Sequence, residues 1–97
     1  MRTVWHFQLP LFGANIEMPL GTEIVHVGIG PTTDEDHVSM WGLVNPSMVL
    51  LPISYVVIGT GHPVTDYRWK YVGTAVDPAR PLVWHVFETN PSRNESL

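Results

Sequence analysis

The sequence predicts an all-β protein: one small antiparallel sandwich or barrel-like domain of about seven short strands. Three observations predict it. Apolar and polar residues alternate in several short runs, the period-2 pattern of a half-buried strand. Nine prolines and eight glycines in 97 residues interrupt any run long enough for an amphipathic helix. The runs recur at short intervals, separated by turn-forming residues.

Thr3–Leu9 comes first, with Thr3, Trp5, Phe7 and Leu9 on one face and Val4, His6 and Gln8 on the other. Pro10 ends it. Asn15–Pro19 is a second strand, expected to pair with the first across the Leu11–Ala14 turn. Glu23–Ile29 is a third. The acidic, turn-rich stretch from Gly30 to Asp36 leads to a fourth, His37–Val44, ended by Asn45-Pro46. A loop from Ser47 to Pro52 precedes a fifth, Ser54–Gly59. Thr65–Arg68 connects it to a sixth, Trp69–Ala75, ended by Asp77-Pro78, and Leu82–Glu88 is the seventh. Residues 1–89 read as a single domain and 90–97 as a polar, flexible tail. Ile58-Gly59-Thr60 and Val72-Gly73-Thr74 echo each other faintly, too briefly to define a repeat.

Composition narrows the function classes. The charged fraction is 14%, well under the usual quarter or so, while 44% of residues are hydrophobic and four are tryptophan. Such a surface favours exposed apolar patches and self-association. The net charge is −4, and Arg2, Arg68, Lys70, Arg80 and Arg93 are scattered rather than clustered. That argues against a groove for long nucleic acid, whose binding depends on massed Lys and Arg. A small phosphorylated ligand needs only one or two cations and a few backbone N–H groups. The absence of cysteine removes disulfides, thiolate metal sites and a cysteine nucleophile. No apolar core of a signal peptide follows Met1, and the greasiest window, Met48–Ile58, is too short for a helical span and carries Pro52. The chain is therefore expected to be soluble and cytoplasmic.

Val57-Ile58-Gly59-Thr60-Gly61-His62-Pro63 is the most informative stretch. Two glycines permit a sharp turn and a close approach to a ligand. Thr60 can donate a hydroxyl and His62 can exchange a proton near neutrality. The alternative is a tight hairpin turn with Gly59 as a bulge and His62 merely exposed. The loop lacks the glycine spacing and the Lys-Ser/Thr ending of a nucleotide-hydrolase phosphate loop. His85, between Trp84 and Val86, is the second candidate: either a hydrogen-bonded structural histidine or a pocket residue facing a ligand.

Of the five histidines, His26, His62 and His85 could converge with Asp34 and Asp36 on a metal, but no pair has zinc-motif spacing. No metal or cofactor is expected. Asp34-Glu35-Asp36 reads as a solvated loop rather than an acid–base pair, and the serines lack a nucleophile-elbow setting, so no catalytic residue is assigned. Trp5, Trp41, Trp69 and Trp84 suit a core or interface, with one or two able to stack on a planar ring.

Taken in order, Val4-Trp5-His6-Phe7, Ile24-Val25-His26-Val27-Gly28, Trp41-Gly42-Leu43-Val44-Asn45-Pro46, the Val57–Pro63 stretch, Tyr71-Val72-Gly73-Thr74 and Val83-Trp84-His85-Val86-Phe87-Glu88 form a recurring set. The chain from Thr3 to Glu88 resembles a family of short proteins of unassigned function encoded largely by bacteriophages and their bacterial hosts. The resemblance implies origin and carries no activity. Some short phage proteins of other families sequester nucleotide second messengers of bacterial immunity, often between subunits. By that analogy the expectation is a homo-oligomeric, non-enzymatic sponge for a nucleotide-type signal in the host cytoplasm. Gly59, Thr60, Gly61 and His62 would supply the anion-facing loop, with Arg68, Trp69, Trp84 and His85 adding charge, stacking and a polar contact. The alternatives are a small phosphodiesterase using His62 and His85 as acid and base, and a protein-binding inhibitor or structural phage component.

Overall fold

A computed structural model describes residues 1–30, 36–78 and 80–89. The expected tail 90–97, and Asp34 and Glu35 of the acidic run, lie outside the described residues. Seven strands and no helix occur among those described: β1 Thr3–Pro10, β2 Ala14–Pro19, β3 Glu23–Gly28, β4 His37–Val44, β5 Leu50–Gly59, β6 Lys70–Asp77 and β7 Leu82–Glu88. All ladders are antiparallel. They form a three-stranded sheet, β1-β4-β3, and a four-stranded sheet, β2-β5-β7-β6. The fold is the all-β sandwich that the alternating pattern predicts. No helix among the described residues is long and apolar enough to cross a membrane.

The alternation becomes the core. Phe7, Leu9, Val27, Val38, Met40 and Val44 from the first sheet meet Met18, Ile53, Tyr55, Ala75 and Val86 from the second. Leu9, Val38, Met40, Val44, Ala75 and Val86 are fully buried. Burying a side chain of Leu or Met size stabilises by roughly 1.5–3 kcal/mol.

Two expectations are corrected. β1 and β2 do not pair: β1 joins β4 and β2 joins β5. The turn between them, closed by the Gly13 N–H donating to the Pro10 carbonyl at 2.9 Å, carries the chain from one sheet to the other. β5 also starts earlier, at Leu50, and contains Pro52. Proline lacks a donor and is tolerated where one flank is unpaired. Pro52 lies opposite Glu17 of β2, whereas pairing to β7 begins only at Tyr55.

The unpaired edges β3 and β6 face each other. Each carries a register irregularity, between Ile24 and His26 in β3 and between Tyr71 and Gly73 in β6. Beside these, Gly73 lets the sheets touch: a Cβ there would stand 2.6 Å from Val27 Cγ2. β5 and β6 both run antiparallel to β7 and so parallel to one another. The connection of residues 60–69 therefore crosses over β7.

Candidate functional site

The outer face of β5-β7-β6 holds a chain of polar groups. On β7, Val86 is buried, so His85 and Phe87 point away from the core. The register places Ile58 and Thr74 on either side of His85. Thr60 Oγ1 lies 2.8 Å from His85 Nε2, and Thr74 Oγ1 lies 3.0 Å from His85 Nδ1. A neutral imidazole has one N–H, so one threonine donates to the ring and the other accepts from it. Tyr71 Oη extends the chain to Thr74 Oγ1 at 2.5 Å. Around it lie apolar and aromatic groups. The Phe87 ring centre is 5.8 Å from Tyr71 and 6.5 Å from Trp69, and Tyr71 and Val76 are more than half exposed.

The Gly59–His62 segment is a turn that opens the crossover rather than a hairpin. The His62 N–H donates to the Gly59 carbonyl at 3.0 Å, and Gly61 has φ +91°. A positive φ at the third position alone marks a type II turn, which glycine accommodates without strain. Gly59 is in register with Trp84 and is not a bulge. The exposed His62 ring lies over Gly59, its Nδ1 3.3 Å from the point a Cβ would occupy, and Trp84 Cζ3 lies 3.5 Å from the same point. The Thr60 N–H reaches the Val83 carbonyl at 3.4 Å. Two of the N–H groups expected to face an anion thus serve the fold instead.

The remaining expected residues separate. Trp84 is on the inner side of β7 and packs against the core, while Trp69 sits over Phe87 at the far end of the crossover. Arg68 is held by Asp66: Nε to Oδ1 at 3.1 Å, Nη2 to Oδ2 at 2.9 Å, and its backbone N–H to Oδ1 at 2.9 Å. These hydrogen bonds hold the Asp66 carboxyl below its usual range. Thr60 and His85 are thus directly joined, Gly59, His62 and Trp84 meet at the strand end, and Arg68 is neutralised. Thr74 and Tyr71 escaped sequence reasoning. Their signal was the Gly-Thr echo, since both echoed threonines bond to His85.

The outer face of the three-stranded sheet carries the other histidines. His6 and His26 lie opposite Trp41 from either side, with ring centres 5.1 and 5.4 Å from it. His26 is therefore on a different sheet from His62 and His85. No group of three or more His, Asp or Glu among the described residues is placed to hold a metal. His6 Nε2 lies 2.7 Å from Ser39 Oγ, the spacing of a base and its nucleophile. Ser39 is buried, however, and a Cβ on Gly30 would stand 1.9 Å from its Oγ. The pair ties β1 to β4, with the Gly30 backbone packed against the buried Ser39.

A hollow lies elsewhere, beside Tyr55 of β5. It is a half-open cleft of about 350 Å³ between Gly21–Ile24 and Lys70–Val72, with Tyr55 and Glu88 between them. Tyr55 is buried and donates to Met18 Sδ at 3.4 Å. Burial, and to a lesser extent the Glu88 charge, pushes its pKa upward.

No curated protein and no solved structure matches the chain. Residues 1–96 match the family described as Domain of unknown function (DUF7352), and with that match spanning the whole described domain the chain belongs to this family.

Proposed function

We propose that the protein binds a small nucleotide-type ligand without chemical change, as a homo-oligomer in the cytoplasm of a phage-infected host. The observation that carries this reading is the Thr60–His85–Thr74–Tyr71 chain, set among Phe87, Tyr71 and Trp69 on an outward sheet face. The hydroxyls of Thr60, Thr74 and Tyr71, held in place by His85, each keep hydrogen-bonding capacity with which to read the polar edge of a heterocycle. Neighbouring aromatic rings give its faces a stacking surface, worth roughly 1–3 kcal/mol per base. With Arg68 engaged by Asp66 and two loop N–H groups bonded internally, the ring rather than the phosphate is the recognised part.

A flat face encloses little, so a second copy would complete the site. The exposed Tyr71, Val76 and Val64 suit that contact. Both His85 nitrogens are engaged by threonines, which favours binding over the phosphodiesterase reading, where His85 must exchange a proton with substrate.

Calorimetry with nucleosides, cyclic nucleotides and ADP-ribose derivatives tests the reading. Micromolar binding by at least one is expected, with the matching nucleoside retaining most of the affinity and His85→Ala removing it. Mass spectrometry should recover the ligand intact. Failure of every compound, or recovery of a cleaved product, would overturn the proposal.

A further inference from the structure

Tyr71 belongs to two features at once. Its hydroxyl bonds Thr74 at the end of the His85 chain, and it also borders the cleft between Gly21–Ile24 and Lys70–Val72. β6 is an edge strand of its sheet, so a single strand separates the outward face from the cleft. A register irregularity falls between Tyr71 and Gly73, and such irregularities bend a strand and re-aim its side chains. The hollow thus opens beside the aromatic surface that Tyr71 shares with Phe87. Its lining indicates which part of a ligand it takes. Glu23 and Glu88 bring two carboxylates and Lys70 one ammonium, an excess of negative charge that disfavours a phosphate. A carboxylate only accepts hydrogen bonds, so its complement here is a neutral donor. The adjacent hydroxyls of a ribose are such donors, and an acidic side chain holding a ribose hydroxyl is a recurrent arrangement in nucleotide sites. Glu88 is already engaged within the chain. Glu23 is exposed on β3, and it lines the cleft together with Tyr71 of β6.

We propose that the cleft is the sugar subsite of the ligand site on the outward face, and that the ligand is a ribonucleoside or its derivative rather than a deoxyribonucleoside. This rests on the nucleotide reading of that face and deepens it. The base lies against Tyr71 and Phe87, the ligand turns over the edge strand, and the ribose 2′- and 3′-hydroxyls donate to the Glu23 carboxylate. The volume of about 350 Å³ is at the small end of the ligand-site range, roughly 300–1,000 Å³, which suits one part of a nucleoside rather than the whole. Glu23 belongs to the three-stranded sheet and Tyr71 to the four-stranded one, so the ligand bridges the two layers. A site built to hold a hydroxyl discriminates against the analogue that lacks it, because its polar group is then left without that bond.

Titration of the full chain with adenosine, guanosine, cytidine and uridine, each beside its 2′-deoxy counterpart, tests it by calorimetry and backbone amide NMR. The best-bound ribonucleoside should bind at least about tenfold tighter than its 2′-deoxy form, or 1.4 kcal/mol. It should shift the amides of Gly21–Ile24 as well as those around His85. Glu23→Gln, at an exposed position, should reduce the preference to about threefold or less by weakening the ribonucleoside. Equal binding of the two forms, a comparison that needs no variant to fold, would overturn the sugar subsite and leave the nucleotide reading standing. So would shifts that spare Gly21–Ile24, or a preference that Glu23→Gln leaves unchanged. Binding of none of these compounds would overturn both.

Discussion

His85 finds a threonine for each ring nitrogen, and Thr74 in turn bonds Tyr71. A typical net hydrogen bond stabilises by about 1 kcal/mol. Thr60→Val and Thr74→Val should therefore each lower unfolding free energy by about that much in urea titrations. The double variant should fall short of additivity, because both bonds serve one ring. Tyr55 makes a different prediction. Its folded pKa is raised, so the folded state holds the phenolic proton more tightly than the unfolded chain, whose tyrosines titrate near about 10. Stability from this residue is complete below that pH and is lost as pH rises above it. Thermal melts at rising alkaline pH should show a steeper decline for the wild type than for Tyr55→Phe. Equal slopes would remove Tyr55 from the alkaline response. At this scale the sequence was informative about His85, since an imidazole between Trp84 and Val86 demanded partners. It could not name them, because they come from two other elements.

The strands themselves were legible wherever alternation was clean. His37–Val44 and Leu82–Glu88 have the bounds that their periodicity implies. Pairing was not legible, because local pattern says which face is buried and nothing about which neighbour lies alongside. The β1–β2 hairpin failed for that reason: a short turn can join two sheets as readily as two strands of one. β5 was cut short because Pro52 reads as a breaker, although one flank there needs no donor. The facing edges β3 and β6 carry the sharpest packing constraint, since a Gly73 Cβ would overlap Val27. Gly73→Ala should destabilise by roughly 1–3 kcal/mol, the cost of overpacking a tight contact. A chemical-denaturation midpoint unchanged from wild type would contradict that packing.

At the scale of the molecule, a low charged fraction is expressed as an outward face rich in Val, Tyr and Phe on β5-β7-β6. Self-association through this face is expected in analytical ultracentrifugation, and Val76→Glu should shift the population to monomer. A wild type that stays monomeric at every concentration would exclude the oligomeric part of the proposed function. Neither this face nor the cleft could be located from sequence. The first needs to know that residues 60–69 cross β7, and the second that two irregular edges meet at one level.

That crossing has a consequence for how the chain reaches its fold. β7 is the last of the described strands yet lies between β5 and β6. During synthesis β5 and β6 precede the strand that joins them, so each presents an unpaired edge until residues 82–88 emerge. Unpaired edges recruit other chains, and nascent or truncated forms are the vulnerable species. A chain ending at Pro81 should be insoluble, and adding a synthetic Leu82–Thr89 peptide during refolding should restore solubility.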